Sequence, residues 1–166
     1  MRTKFFMLVF CLIAVSCKPG EEQISRRADR IHDAILSVDT HCDTPMRFFR
    51  GGFDPGVRNE RGCVDFPRMK EGRLDAEFFA IFIGQGPRTP EAFEKEHANT
   101  LATFDSIKAS VARHSDLAGI ALNPADAQKL KAEGKVTIFM GIENGYPIGT
   151  DLSKISQYYD LGARYI

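Results

Sequence analysis

The chain has 166 residues, with 22 basic and 22 acidic side chains and a formal net charge of zero. That balance, with no basic tract and no RNA-binding signature, argues against a nucleic-acid partner. Two of the four cysteines fall in the N-terminal leader, and the two that remain, Cys42 and Cys63, do not make a disulfide framework in a composition this ordinary.

The first residues read as an export signal. Arg2 and Lys4 form a basic start, and Phe5 to Val15 is apolar and too short to span a bilayer. The segment closes Ala14-Val15-Ser16-Cys17, small residues before a cysteine. This resembles a bacterial lipobox, which makes residues 1–17 a lipoprotein signal peptide and Cys17 the lipid-anchored first residue. Lys18 to Gln23 follows as a polar tether. The expected location is a bacterial membrane, facing periplasm or surface. With Lys18 and Pro19 after the cysteine and no Asp retention signal, the balance leans to the outer membrane. Loss of Arg2 and Lys4 with the leader leaves a small acidic excess.

Beyond the tether, strand-like and helix-like segments alternate. Ile24 to Leu36 is amphipathic, with Arg26, Arg27 and Arg30 on its polar face. It leads into an apolar run, Ala34 to Val38, read as the first strand. Asp39-Thr40-His41-Cys42-Asp43 closes that strand. Alternation sends His41 and Asp43 to one face and Cys42 to the other. An imidazole and a carboxylate side by side form a half-site for a divalent metal, and Cys42 is expected to be a packed thiol. Residues 47–69 read as a long loop. Phe78 to Ile83 is an almost continuous apolar run, suited to a strand buried on both faces. Thr89-Pro90-Glu91 opens a long helix. Asn123 opens another that ends at Gly134, Val136 to Ile142 forms the third strand, and Asp151 to Leu161 the next helix. Arg164-Tyr165-Ile166 begins a fourth strand, so the chain is expected to be a fragment of a longer protein. His32, His97 and His114 lie on helical or loop segments and are expected to be solvated or packed.

Such alternation implies parallel βα units with right-handed crossovers. An open doubly wound sheet would carry a Gly-rich phosphate loop after its first strand, and this one carries His-Cys-Asp-Thr-Pro. A (β/α)8 TIM barrel places its chemistry at the C-terminal strand ends, where His41, Asp43 and Glu143 all fall. The expected fold is therefore α/β, a (β/α)8 barrel of about 250 residues in complete form, of which this chain covers about the first half.

Three blocks then carry a family resemblance. They are Val38-Asp39-Thr40-His41-Cys42-Asp43, Val64 to Gly72 with the Phe78-Phe79 strand behind it, and Gly141-Ile142-Glu143-Asn144-Gly145-Tyr146-Pro147-Ile148-Gly149. In this order they resemble the N-terminal portion of the membrane dipeptidase (renal dipeptidase) family of zinc peptidases, over residues 24–166. The resemblance implies a barrel with two zinc ions. It assigns His41 and Asp43 to one zinc and Glu143 to the bridge between both, with a shared hydroxide attacking the peptide bond of a dipeptide. The family's remaining histidines and its proton-transfer Asp would lie beyond Ile166, so catalytic residues are not expected within the chain, and the fragment alone is expected to be inactive. Asp39 could orient the site, or bond only backbone. Asn144 and Tyr146 depart from the family, which often has Gly and His there, and bear on substrate range more than on zinc. The family often dimerises and tolerates a C-terminal D-residue. A competing reading is a non-catalytic lipoprotein or an inactive truncated gene product. Another is a hydrolase of the amidohydrolase type, many of which open with His-x-His where this chain has His41-x-Asp43.

Overall fold

The computed structural model describes residues 20–49 and 53–166. Cys17 and most of the proposed leader and tether lie outside them. Helix α1, Glu21–Ala34, begins within the segment expected to be a tether. Strand β1 is Val38–Cys42, later than the apolar run suggested. Ala34 instead ends the helix, and Ile35, Leu36 and Ser37 connect it to the strand. His41 therefore lies inside β1, and Asp43 directly follows it.

The long loop contains a helix, α2, Phe66–Glu71. Its signal was present in the sequence: Asp65 caps it by accepting from the Arg68 N–H at 2.9 Å, and Pro67 sits in the first turn. Strand β2 is Ala76–Phe82 and helix α3 Pro90–Arg113, opened by Thr89 as its N-cap. A short strand, β3, Ala118–Ile120, was not anticipated, since three residues give no period to read. Helix α4 is Pro124–Ala132, capped by Asn123. Strand β4 is Val136–Glu143, which makes Glu143 its last residue, and helix α5 is Ser153–Leu161.

All pairings are parallel, and the sheet order is β1-β2-β4-β3. Beyond α5 the chain rejoins β4. The Arg164 N–H donates to the Met140 carbonyl at 2.9 Å and the Ile142 N–H to the Tyr165 carbonyl at 3.1 Å. This bears out the start of a further parallel strand. The arrangement is that of the opening units of a (β/α)8 barrel.

Alternation sorts the strand residues into two layers. Phe79, Ile81, Ile138, Met140 and Ile142 pack with Phe66 and Met69 of α2, Phe104, Ile107 and Val111 of α3, and Tyr158 of α5. Each such side chain contributes about 1.5–3 kcal/mol by leaving water. On the opposite face Ala76, Phe78 and Phe139 pack with Ala127 and Leu130 of α4. At the N-terminal end of the strands the Asp75 carboxylate accepts from the Ser37 N–H at 2.8 Å, and Lys131 donates to the same carboxylate at 2.8 Å. Lys131 also donates to the Ile35 carbonyl at 2.8 Å, satisfying an orphan acceptor past the end of α1. This cluster fixes where β1 begins.

Glu77 is the anomaly of the core. It is fully buried on the face that carries Phe79, and neither carboxylate oxygen has a hydrogen-bond partner among the described residues. Burial, with a smaller push from Asp39 beside it in register, raises its pKa to about 8. In the unfolded chain the same group would titrate near 4.5. The folded state holds the extra proton between those values, so stability is highest below the unfolded pKa and falls as pH rises through the folded one. Glu77→Gln should match the parent near pH 5 and exceed it above pH 8, on the order of 1–3 kcal/mol. Thermal unfolding of both proteins across that range checks this, and identical pH profiles would refute it.

Candidate metal centre

The site is built at the C-terminal ends of two strands that are not neighbours. His41 comes from β1 and Glu143 from β4, with β2 between them. The register of β1 slips by one residue: Asp39 pairs with Glu77 but Cys42 with Phe79. This extra residue is a bulge, a feature that bends a strand end and re-aims its side chains. Cys42 turns to the helix side and packs against the main core, its Sγ 3.0 Å from Thr44 Oγ1. Burial raises its thiol pKa, as fits an inert packed thiol. Cys63 is exposed, and both are free thiols. Asp39 accepts from the His41 backbone N–H at 3.2 Å, so its bond here is to the strand itself.

His41 Nε2 lies 3.0 Å from Glu143 Oε2 and 3.6 Å from Asp43 Oδ1. One ligand atom from each of the three residues falls within 4.8 Å of the others. Zinc bonds of about 2.0–2.2 Å in a tetrahedral shell put ligand atoms roughly 3.3–3.6 Å apart. The observed separations bracket that range, and an imidazole with two carboxylates suits zinc chemically. All three side chains are roughly half exposed, so the centre opens to solvent at the strand ends.

Aromatic side chains line the floor beneath. Phe78 stacks on Phe139 with ring centres 4.7 Å apart, and the Tyr165 ring lies 5.4 Å from Phe78. The Tyr165 hydroxyl is 3.3 Å from His41 Nδ1. Burial, then the carboxylates of Glu143 and Asp43, push its pKa upward, so it remains a neutral phenol. Sequence reasoning placed Tyr165 in a strand but not at this site. The available signal was its alternation: a residue beginning the strand next to β4 can face the same side as Glu143.

The two departures from the expected pattern engage their side chains outside the three-residue cluster. Asn144 adopts a left-handed conformation, φ 78°, tolerated by Asn and Gly better than by other residues. Its side-chain amide donates to the Ile83 carbonyl at 2.8 Å, tying the end of β4 to the end of β2. Tyr146 is buried, donates to the Pro87 carbonyl and packs on Phe93 at 5.1 Å. It turns toward α3, not toward His41. The other histidines are also remote from the centre. His32 is exposed in the last turn of α1, His97 bonds the Tyr158 hydroxyl at 2.7 Å, and His114 bonds Asp54 at 2.7 Å.

Residues 25–166 match the family Peptidase_M19, membrane dipeptidase (Peptidase family M19). Dipeptidase ataJ of Aspergillus terreus is 25% identical over 149 residues, a stretch covering 84% of this chain and 36% of that protein. The probable dipeptidase PvdM from Pseudomonas aeruginosa superposes with a TM-score of 0.75 at 26% identity, covering 88% of this chain and 38% of that one. Dipeptidase AC, a metallo peptidase of family M19, gives a TM-score of 0.66 at 25% identity over 78% of this chain and 41% of its own. The chain thus spans well under half the length of the relatives it matches. With the three sequence blocks, the parallel βα order and the strand-end cluster in agreement, the chain belongs to the membrane dipeptidase family, peptidase family M19.

Proposed function

We propose that this chain supplies the first part of the metal site of a zinc-dependent dipeptidase. The observation that carries the reading is the convergence of His41 Nε2, Asp43 and Glu143 at the strand ends. Neutral imidazole nitrogen and two anionic carboxylates would hold the metal, and the family resemblance assigns Glu143 to be shared between two zinc ions. Zinc held there supplies Lewis acidity toward a peptide carbonyl and a water acidified to a pKa of about 7. The chain's own residues do the rest of what is visible. The β1 bulge aims His41 at Glu143, Cys42 is kept out of the site, and the aromatic floor of Phe78, Phe139 and Tyr165 limits water from below. The substrate class that follows from family membership is a dipeptide.

Metal titration tests the assignment. Glu143→Ala should lower zinc affinity by more than about ten-fold, and Asp43→Ala should also weaken binding. Cys42→Ser should leave it nearly unchanged, because the thiol lies on the other face of the sheet. Unaltered zinc binding in Glu143→Ala would remove that residue from the ligand set.

Among the described residues the centre offers three ligands, and a dinuclear site needs more. Residues 18–166 by themselves are therefore expected to be inactive toward dipeptides even with excess zinc. Metal-dependent turnover by a monomeric preparation, abolished by His41→Ala, would contradict this.

The leader supports export with lipid attachment at Cys17, outside the described residues. No helix among the described residues is long and apolar enough to cross a membrane. The lipobox-like sequence supports a lipid anchor, which in bacteria would be joined to the cysteine when the signal is cleaved. Fatty-acid labelling should be present in the parent chain and lost in Cys17→Ser. Labelling that persists in the variant would refute the assignment.

A further inference from the structure

We infer that Tyr165 is a positioning residue for His41, its hydroxyl holding the Nδ1 edge of the imidazole so that Nε2 faces Asp43 and Glu143. This inference rests on the metal-site reading above. The two ring nitrogens have separate partners: Tyr165 Oη lies 3.3 Å from Nδ1, and Glu143 Oε2 lies 3.0 Å from Nε2. Ring orientation is therefore set from both edges.

The phenol itself is held in place by the fold. Its backbone carbonyl accepts from the Ile142 N–H at 3.1 Å, one residue before Glu143. Its ring lies against Phe78 and over Gly141. A Cβ on Gly141 would come within 2.1 Å of a ring carbon of Tyr165. Glycine at 141 is thus the space that the tyrosine occupies, and any larger residue would displace it from His41.

A hydroxyl is also the suitable group for the task. To bind a metal through Nε2, His41 must carry its proton on Nδ1 and donate it to a partner. Without metal, Nε2–H can donate to Glu143, and Nδ1 then needs a donor. A phenolic O–H does both, accepting in one state and donating in the other. A carboxylate or carbonyl in its place would serve only the metal-bound tautomer. Asp39 does not fill this role, since it bonds the His41 backbone.

The test uses the full chain and Tyr165→Phe, which keeps the ring and deletes only the hydroxyl. Zinc affinity should fall about ten- to hundred-fold, the usual cost of losing a partner behind a ligating histidine, with the far-ultraviolet circular dichroism and the metal-free unfolding midpoint unchanged. Nitrogen-15 shifts of the His41 ring supply a readout that packing alone would not move. In the parent chain zinc should shift the proton from Nε2 to Nδ1. In metal-free Tyr165→Phe the ring nitrogens should average between tautomers. Gly141→Ala should reproduce the affinity loss with the hydroxyl still present. Affinity within about two-fold of the parent and unchanged ring shifts in Tyr165→Phe would overturn the positioning role while leaving the metal site standing. Equal zinc affinity in the parent and in His41→Ala would instead remove the metal reading, and the positioning role with it.

Discussion

The convergence of His41 and Glu143 across the intervening strand β2 is the constraint on which the rest depends. His41 and Glu143 stand on strands separated by β2, and two strand spacings amount to about 9–10 Å. Their side chains nevertheless meet at 3.0 Å. The two side chains reach across β2 from either side to close that gap. Ala80 on β2 and Gly141 on β4 are register partners on the side that carries Phe78 and Phe139. Neither adds bulk where the side chains cross. Bulky residues on the other face, Phe79, Ile81, Met140 and Ile142, fill the space under the helices.

Much of this was legible in the residues. The strand-end position of His41, Asp43 and Glu143 followed from apolar runs that stop at polar residues, and the alternation of Cys42 away from them held in the structure. The caps at Thr89 and Asn123 marked α3 and α4 correctly. What was hidden has physical reasons. The start of β1 depends on Asp75 and Lys131, which lie far away in sequence and meet Ser37 and Ile35 only in the fold. Strand β3 is too short to show a period. The β1 bulge is a register event between two strands, and neither strand's sequence contains it. Tyr165 is adjacent to the centre only because the chain returns beside β4 after α5.

The distribution of exposed apolar side chains fits the partial span of the relatives. Ile24, Ile31, Ile35 and Val38 are exposed along α1 and the outer side of β1, and Ile155, Tyr159 and Ile166 at the opposite flank. Parallel sheets are stable with both faces and edges covered. Open flanks of this kind carry unpaired backbone groups and invite association. Glu77, buried and without a hydrogen-bond partner among the described residues, lies on β2 between β1 and β4.

The central claim is that the strand-end trio binds zinc through nitrogen and oxygen. X-ray absorption at the zinc edge of the metal-loaded chain tests it most directly. The account predicts a first shell of nitrogen and oxygen neighbours at about 2.0–2.2 Å with the outer-shell signature of an imidazole. A sulfur neighbour at about 2.3 Å would place the metal on Cys42 or Cys63 instead, and would contradict the account.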